Sequence, residues 1–223
     1  MKLKKAIFAT IILAATAVTL NAQSALKRGN AFWAQENYKA AIEEYSKVSS
    51  RDANAYAHAI YNIGVCHYEL WQIEEAIVFY KRAIELKHGN YPRASYALGV
   101  ALHDQGSLAE AKQAYEQAGN NFAPAIYKLG VLEANAGEFR KAAELFRDAA
   151  SRKGEHVPAS HNNLGVMLAR LGLLNEAEKS FIVALKQSDN RLGDAAHNLK
   201  LCRSLLLSTR LRDSQDFRLS STD

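Results

Sequence analysis

The sequence predicts an all-α solenoid of stacked helix pairs, and three observations carry that prediction. A four-part pattern of glycine, alanine, aromatic and small apolar residue recurs five times: Gly29/Ala41/Tyr45/Val48, Gly64/Ala76/Tyr80/Ala83, Gly99/Ala111/Tyr115/Ala118, Gly130/Ala142/Phe146/Ala149 and Gly165/Ala177/Phe181/Ala184. The glycines follow one another at 35, 35, 31 and 35 residues, and a period in this range marks stacked repeats rather than one closed core. Within a unit the apolar residues fall at helical spacing, as in Ala94, Leu98, Ala101 and Leu102.

Residues 1–22 stand apart from the repeats. Lys2, Lys4 and Lys5 precede Ala6 to Leu20, a 15-residue stretch without charge, and Leu20-Asn21-Ala22 places a small residue before Gln23. This resembles a secretory signal peptide cut after Ala22, and the stretch is shorter than the roughly 20 apolar residues that span a bilayer. An uncleaved anchor is the alternative. Loss of the three lysines lowers the net charge from +5 to +2. With no dense run of Lys and Arg left, a nucleic-acid partner is not expected.

The repeat domain is expected over 23–208. In the third unit a helix covers Tyr91 to Gln105, Gly106 breaks it, and a second helix carries Leu108, Ala111, Tyr115 and Ala118. Gly106, Gly137 and Gly172 each lie seven residues after their unit's glycine, where a helix must reverse and glycine takes the left-handed conformation at least cost. The first two units place Glu36 and Trp71 there. The small residues let helices approach closely, and the aromatic fills the space they leave.

A further helix is expected from Gly193 to Ser208. Lys200 and Arg203 replace its small packing residues, which suits a terminal cap facing water, while Leu205-Leu206-Leu207 would cover the last unit. Residues 209–223 are rich in Ser, Arg and Asp and predict a disordered tail. Cys66 and Cys202 sit in units four periods apart, tens of ångströms in such a stack, whereas a disulfide needs Cα atoms within about 7 Å. Both are expected to be free and buried.

The motifs Ile63-Gly64, Leu98-Gly99-x-x-Leu102, Leu129-Gly130 and Leu164-Gly165-x-x-Leu168, with the later alanine and aromatic, resemble the tetratricopeptide (TPR) repeat. The resemblance covers about Gln23 to Lys186. It implies a right-handed superhelix of five TPR helix pairs plus the C-terminal capping helix, with the first helix of each pair lining a concave groove. Of the family's carboxylate clamp, Asn30, Asn62 and Arg93 occupy matching slots, but Leu26 and Ala97 stand where basic residues are needed.

No catalytic constellation accompanies the repeats. There is no phosphate-binding loop, no His-x-x-x-His or Cys-x-x-Cys pair and no Gly-x-Ser-x-Gly context. Neither an enzyme, a cofactor nor a small-molecule substrate is expected. The groove that the resemblance implies would present a stripe of first-helix residues at 100° per residue. Val65, Val100, Val131 and Val166 follow the glycines; Tyr61, Tyr96 and Tyr127 lie three before them; Trp33, Tyr68 and His103 lie four after. This valine ladder flanked by tyrosines offers contact area with polar tips. Alternatively, the same residues extend packing between helices. Asn62, Asn163 and Asn198 sit two before their glycine slots, where an amide can bond both the donor and the acceptor of an extended backbone, although Ala97 and Lys128 interrupt the row.

The sequence therefore predicts a non-catalytic, exported scaffold, periplasmic or secreted, that binds a peptide or helix of another protein. A membrane-tethered subunit of a secretion or pilus assembly and a regulator of an envelope enzyme are the alternatives. Self-assembly of copies end to end is a further outcome open to a solenoid.

Overall fold

The computed structural model describes residues 19–208 and 219–220. Among the described residues there are eleven helices and no strand. The expected signal segment lies outside the described residues except for 19–22, which belong to the first helix, α1, over 19–33. Among the described residues no helix is long and apolar enough to cross a membrane.

The remaining helices are α2 (Tyr38–Tyr45), α3 (Ala53–Glu69), α4 (Ile73–Leu86), α5 (Pro92–Asp104), α6 (Leu108–Ala118), α7 (Ala123–Asn135), α8 (Phe139–Ala150), α9 (Val157–Arg170), α10 (Leu174–Gln187) and α11 (Gly193–Leu207). They fall into two compact units, one ending at Ala118 and one beginning at Gly119. The pairs expected from the repeat form as expected: α3 packs on α4, α5 on α6, α7 on α8 and α9 on α10.

Local chemistry sets the helix ends. The side chains of Asn37 and Asp52 accept hydrogen bonds from the backbone N–H of Ala40 and Ala55, which supply partners for donors that a helix start leaves open. Pro92, Pro124 and Pro158 stand in the first turns of α5, α7 and α9, where a missing N–H costs nothing. The reversal positions all have left-handed backbone: φ is 86° at Gly106, 82° at Gly137 and 79° at Gly172. Glu36 and Trp71 adopt it too, each at φ 58°. The register of the repeat thus overrides residue type at these two turns.

The repeated glycine and aromatic are one packing device. Tyr45, Tyr80, Tyr115, Phe146 and Phe181 are buried. Each ring packs against the glycine of its own unit's first helix. A Cβ on Gly64 would sit 2.8 Å from the Tyr80 ring, one on Gly99 2.5 Å from Tyr115, and one on Gly165 2.5 Å from Phe181. Any side chain there must displace a buried ring.

Cys66 and Cys202 are both free and buried. Burial pushes the Cys66 thiol up to about 12 and the Cys202 thiol up to about 11, so neither is a thiolate at neutral pH. In α11, Leu205 is buried, while Leu206 and Leu207 are exposed and do not cover the last unit. The expected tail over 209–223 lies outside the described residues except for 219 and 220. Leu219 packs on the core of the second unit, and Ser220 is buried and hydrogen-bonded.

Candidate partner-binding sites

In the first unit, α1, α3 and the start of α5 line an open cavity of about 620 Å³. Helix α1 contributes Leu26, Asn30 and Trp33; α3 contributes His58, Tyr61, Asn62 and Val65; the α5 entry contributes Tyr91 and Arg93. Four of the expected groove residues, Trp33, Tyr61, Asn62 and Val65, therefore share one concavity. Trp33 is exposed at 42% and the other three are half-buried.

The walls are aromatic and held by hydrogen bonds. Tyr61 packs tilted against Tyr91 at 5.4 Å and Tyr80 at 5.9 Å between ring centroids. Tyr45 donates its hydroxyl to Asn30 Oδ1 at 2.7 Å, and Asn62 Nδ2 donates to the same oxygen at 3.5 Å. Burial pushes the Tyr45 phenol up to about 12, so it remains a donor. Arg93 supplies positive charge, and Lys87 lies over the Tyr91 ring at 5.7 Å. Burial, reinforced by the Lys87 and Arg93 charges, lowers the His58 pKa and favours its neutral form. Asn30, Asn62 and Arg93 do converge here, but Leu26 lines the same wall, so the cavity lacks the second cation of a carboxylate clamp.

Further along the unit, Tyr68 and His103 are half-buried beside Asp104. The Tyr68 hydroxyl donates to Asp104 Oδ2 at 2.5 Å, and His103 Nδ1 lies 3.6 Å from Asp104 Oδ1. Tyr96 and Val100 are half-buried, and the Tyr96 ring packs on Tyr115 at 5.9 Å. Groove and packing face therefore share these residues. The tyrosines three before the glycine rest on the second-helix aromatic and serve both surfaces, because a phenol is long enough to reach across the first helix.

The second unit differs. Val131 is half-buried against its core, and Val166 is fully buried within it, so the valine ladder is packing there. Tyr127 is buried too, its ring 5.6 Å from Phe146. Around it gather three asparagines, Asn162 and Asn163 on α9 and Asn198 on α11, all fully buried. Asn198 Nδ2 donates to Asn162 Oδ1 at 3.0 Å, and Asn162 Nδ2 donates to Asn163 Oδ1 at 3.2 Å. Asn163 Nδ2 donates to the Tyr127 hydroxyl oxygen at 3.1 Å.

This chain of amides ends on the tail. Ser220 N donates to Asn163 Oδ1 at 2.6 Å, and Asn163 Nδ2 donates to Ser220 O at 3.0 Å. Tyr127 also donates its hydroxyl to Ser220 O, and Asn162 Nδ2 donates to Ser220 Oγ at 2.8 Å. Register places Asn163 and Asn198 two before their glycine slots and Asn162 three before its own, in line with Tyr61, Tyr96 and Tyr127; the occupant is visible only in the fold. On α7 the buried carboxylate of Glu133 is paired with Lys141 at 2.8 Å. Among the described residues no group of His, Cys, Asp and Glu is placed to hold a metal ion.

Three models of the tetratricopeptide repeat match the sequence, over residues 22–54, 67–106 and 127–191, together more than half of the chain. A search of curated proteins finds no match. Solved structures that are similar include MamA, at 26% identity and TM-score 0.62 over 73% of this chain and 95% of that one. A thermophilic TPR protein of Thermus thermophilus matches at 22% identity and TM-score 0.54 over 84% of this chain and 100% of its own. YrrB, described as a TPR protein with an unusual peptide-binding site, matches at 22% identity and TM-score 0.58 over 72% of this chain and 82% of its own.

Proposed function

The chain belongs to the tetratricopeptide-repeat proteins, and from that premise we propose that it is a non-catalytic, exported scaffold that binds a segment of another protein on its first-helix face. The observation that carries this reading is the cavity between α1, α3 and α5. It combines tyrosine and valine walls with asparagine amides and a single cation, Arg93. Such a surface suits a protein segment that inserts an apolar side chain beside an acidic group. It lacks the convergent nucleophile, base and oxyanion donors that a reaction requires. The lysine-led apolar stretch before Gln23 supports export.

The test has two steps. A photoreactive residue at Val65 identifies the partner in an envelope extract, and the affinity of that partner is then measured with purified variants. Buried aromatic anchors typically contribute about 2 kcal/mol or more to an interface, so Tyr61→Ala is expected to weaken binding on the order of 30-fold. Because Tyr61 also packs on Tyr80, Arg93→Gln, at an exposed side chain, is measured beside it and is expected to weaken binding as well. Lys81→Ala, exposed on α4, serves as the control. Parent-like binding by both Tyr61→Ala and Arg93→Gln would overturn the proposal. Gln23 as the first residue of the exported protein is the expected result of N-terminal sequencing.

A further inference from the structure

In the second unit the backbone of Ser220 is seated on buried amides. Asn163 presents its carbonyl oxygen to the N–H of Ser220 and its amide nitrogen to the C=O of the same residue. Two-point bonding of this kind reads the backbone of an extended segment at one residue, whatever its side chain. Two further contacts add selectivity. Asn162 Nδ2 meets the Ser220 hydroxyl, and Leu219 packs on the apolar cluster of the unit, which contains Val166, Met167 and Leu205.

Asn162, Asn163 and Asn198 are fully buried. Their mutual bonds link Asn198 to Asn162 and Asn162 to Asn163, but the remaining capacity of Asn163 is met by Ser220. Tyr127 completes the cradle by donating to the same carbonyl.

We propose that Tyr127, Asn162 and Asn163 form a backbone clamp for an extended segment with an aliphatic residue followed by a small hydroxyl residue. The chain's own Leu219-Ser220 is its resident occupant, and an external segment of the same chemistry binds only by displacing it. The clamp selects against proline at the serine position, because Asn163 Oδ1 requires an N–H. It selects for serine or another small residue there, because the side chain is enclosed with Asn162.

The experiment uses the full chain and a fluorescent synthetic peptide with the sequence of residues 214–223. In the parent the tail competes. In the double variant Leu219→Asp, Ser220→Pro the tail loses both its apolar contact and its N–H donor. Fluorescence anisotropy is expected to show the probe binding the double variant at least tenfold more tightly than the parent. Tyr127→Phe added to the double variant removes one hydroxyl and keeps the ring, and is expected to weaken the probe about tenfold. A probe with proline at the Ser220 position is expected not to bind. Circular dichroism on each protein confirms unchanged helix content.

Equal binding to parent and double variant, or no binding to the double variant, would overturn the proposal. So would a parent that sediments as a dimer and a double variant that sediments as a monomer, because the tail would then fill a second copy. None of these substitutions touches the cavity of the first unit, so failure here leaves the proposed function standing.

Discussion

The two units share one backbone plan and differ in what they place on it. In the first, the residues three and two before the repeat glycine are Tyr61 and Asn62, then Tyr96 and Ala97. In the second, α7 places Tyr127 and Lys128 there and α9 places Asn162 and Asn163. Tyr61 leans onto Tyr80 and lines the cavity beside it. The paired asparagines Asn162 and Asn163 are fully buried and bonded to each other, to Asn198, to Tyr127 and to the backbone of Ser220. At α9 these two positions carry the amides that meet Ser220, whereas at α3 they border an open cavity.

The largest effect should come from breaking what the units share. Gly99→Val and Gly165→Val each drive a side chain into a buried ring. Urea unfolding is expected to show losses of about 3 kcal/mol in both units, at the upper end of overpacking costs. A unit that tolerates the change has a looser glycine–ring contact than its partner.

The next effect sharpens the difference between them. Asn163→Ala leaves the Ser220 N–H unpaired in a buried site and is expected to cost about 2 kcal/mol. The same change at Asn62, half-buried on an open cavity, is expected to cost less than about 0.5 kcal/mol. Equal losses would mean that the two amides do the same work.

The contrast between sites also marks what the sequence reveals. The glycine–aromatic spacing carries the fold because both partners recur in every unit, and even the left-handed turns at Glu36 and Trp71 follow from register. The cavity residues Tyr61, Asn62 and Val65 are legible because a helical face is a matter of spacing. Two features are not legible. The Tyr96 ring crosses from groove to packing face because of its length, which residue spacing does not encode. The clamp is hidden because its occupant comes from a polar tail with no periodicity, and because Ala97 and Lys128 interrupt the asparagine row that would announce it.

The smallest effect concerns the turns. Trp71 adopts left-handed backbone with its side chain 85% exposed, so it carries the strain with little packing in return. Trp71→Gly is expected to raise stability by about 1 kcal/mol, read as a higher urea midpoint. A loss would show that the indole contributes a contact of its own.

The most direct test of the contrast between an open and a closed face is amide hydrogen exchange at Ser220. Its N–H is buried and bonded to Asn163 Oδ1 at 2.6 Å. In the intact protein it is predicted to exchange many times more slowly than in the free 214–223 peptide, and Asn163→Ala is predicted to remove that protection. Exchange at the free-peptide rate in the intact chain would contradict the account.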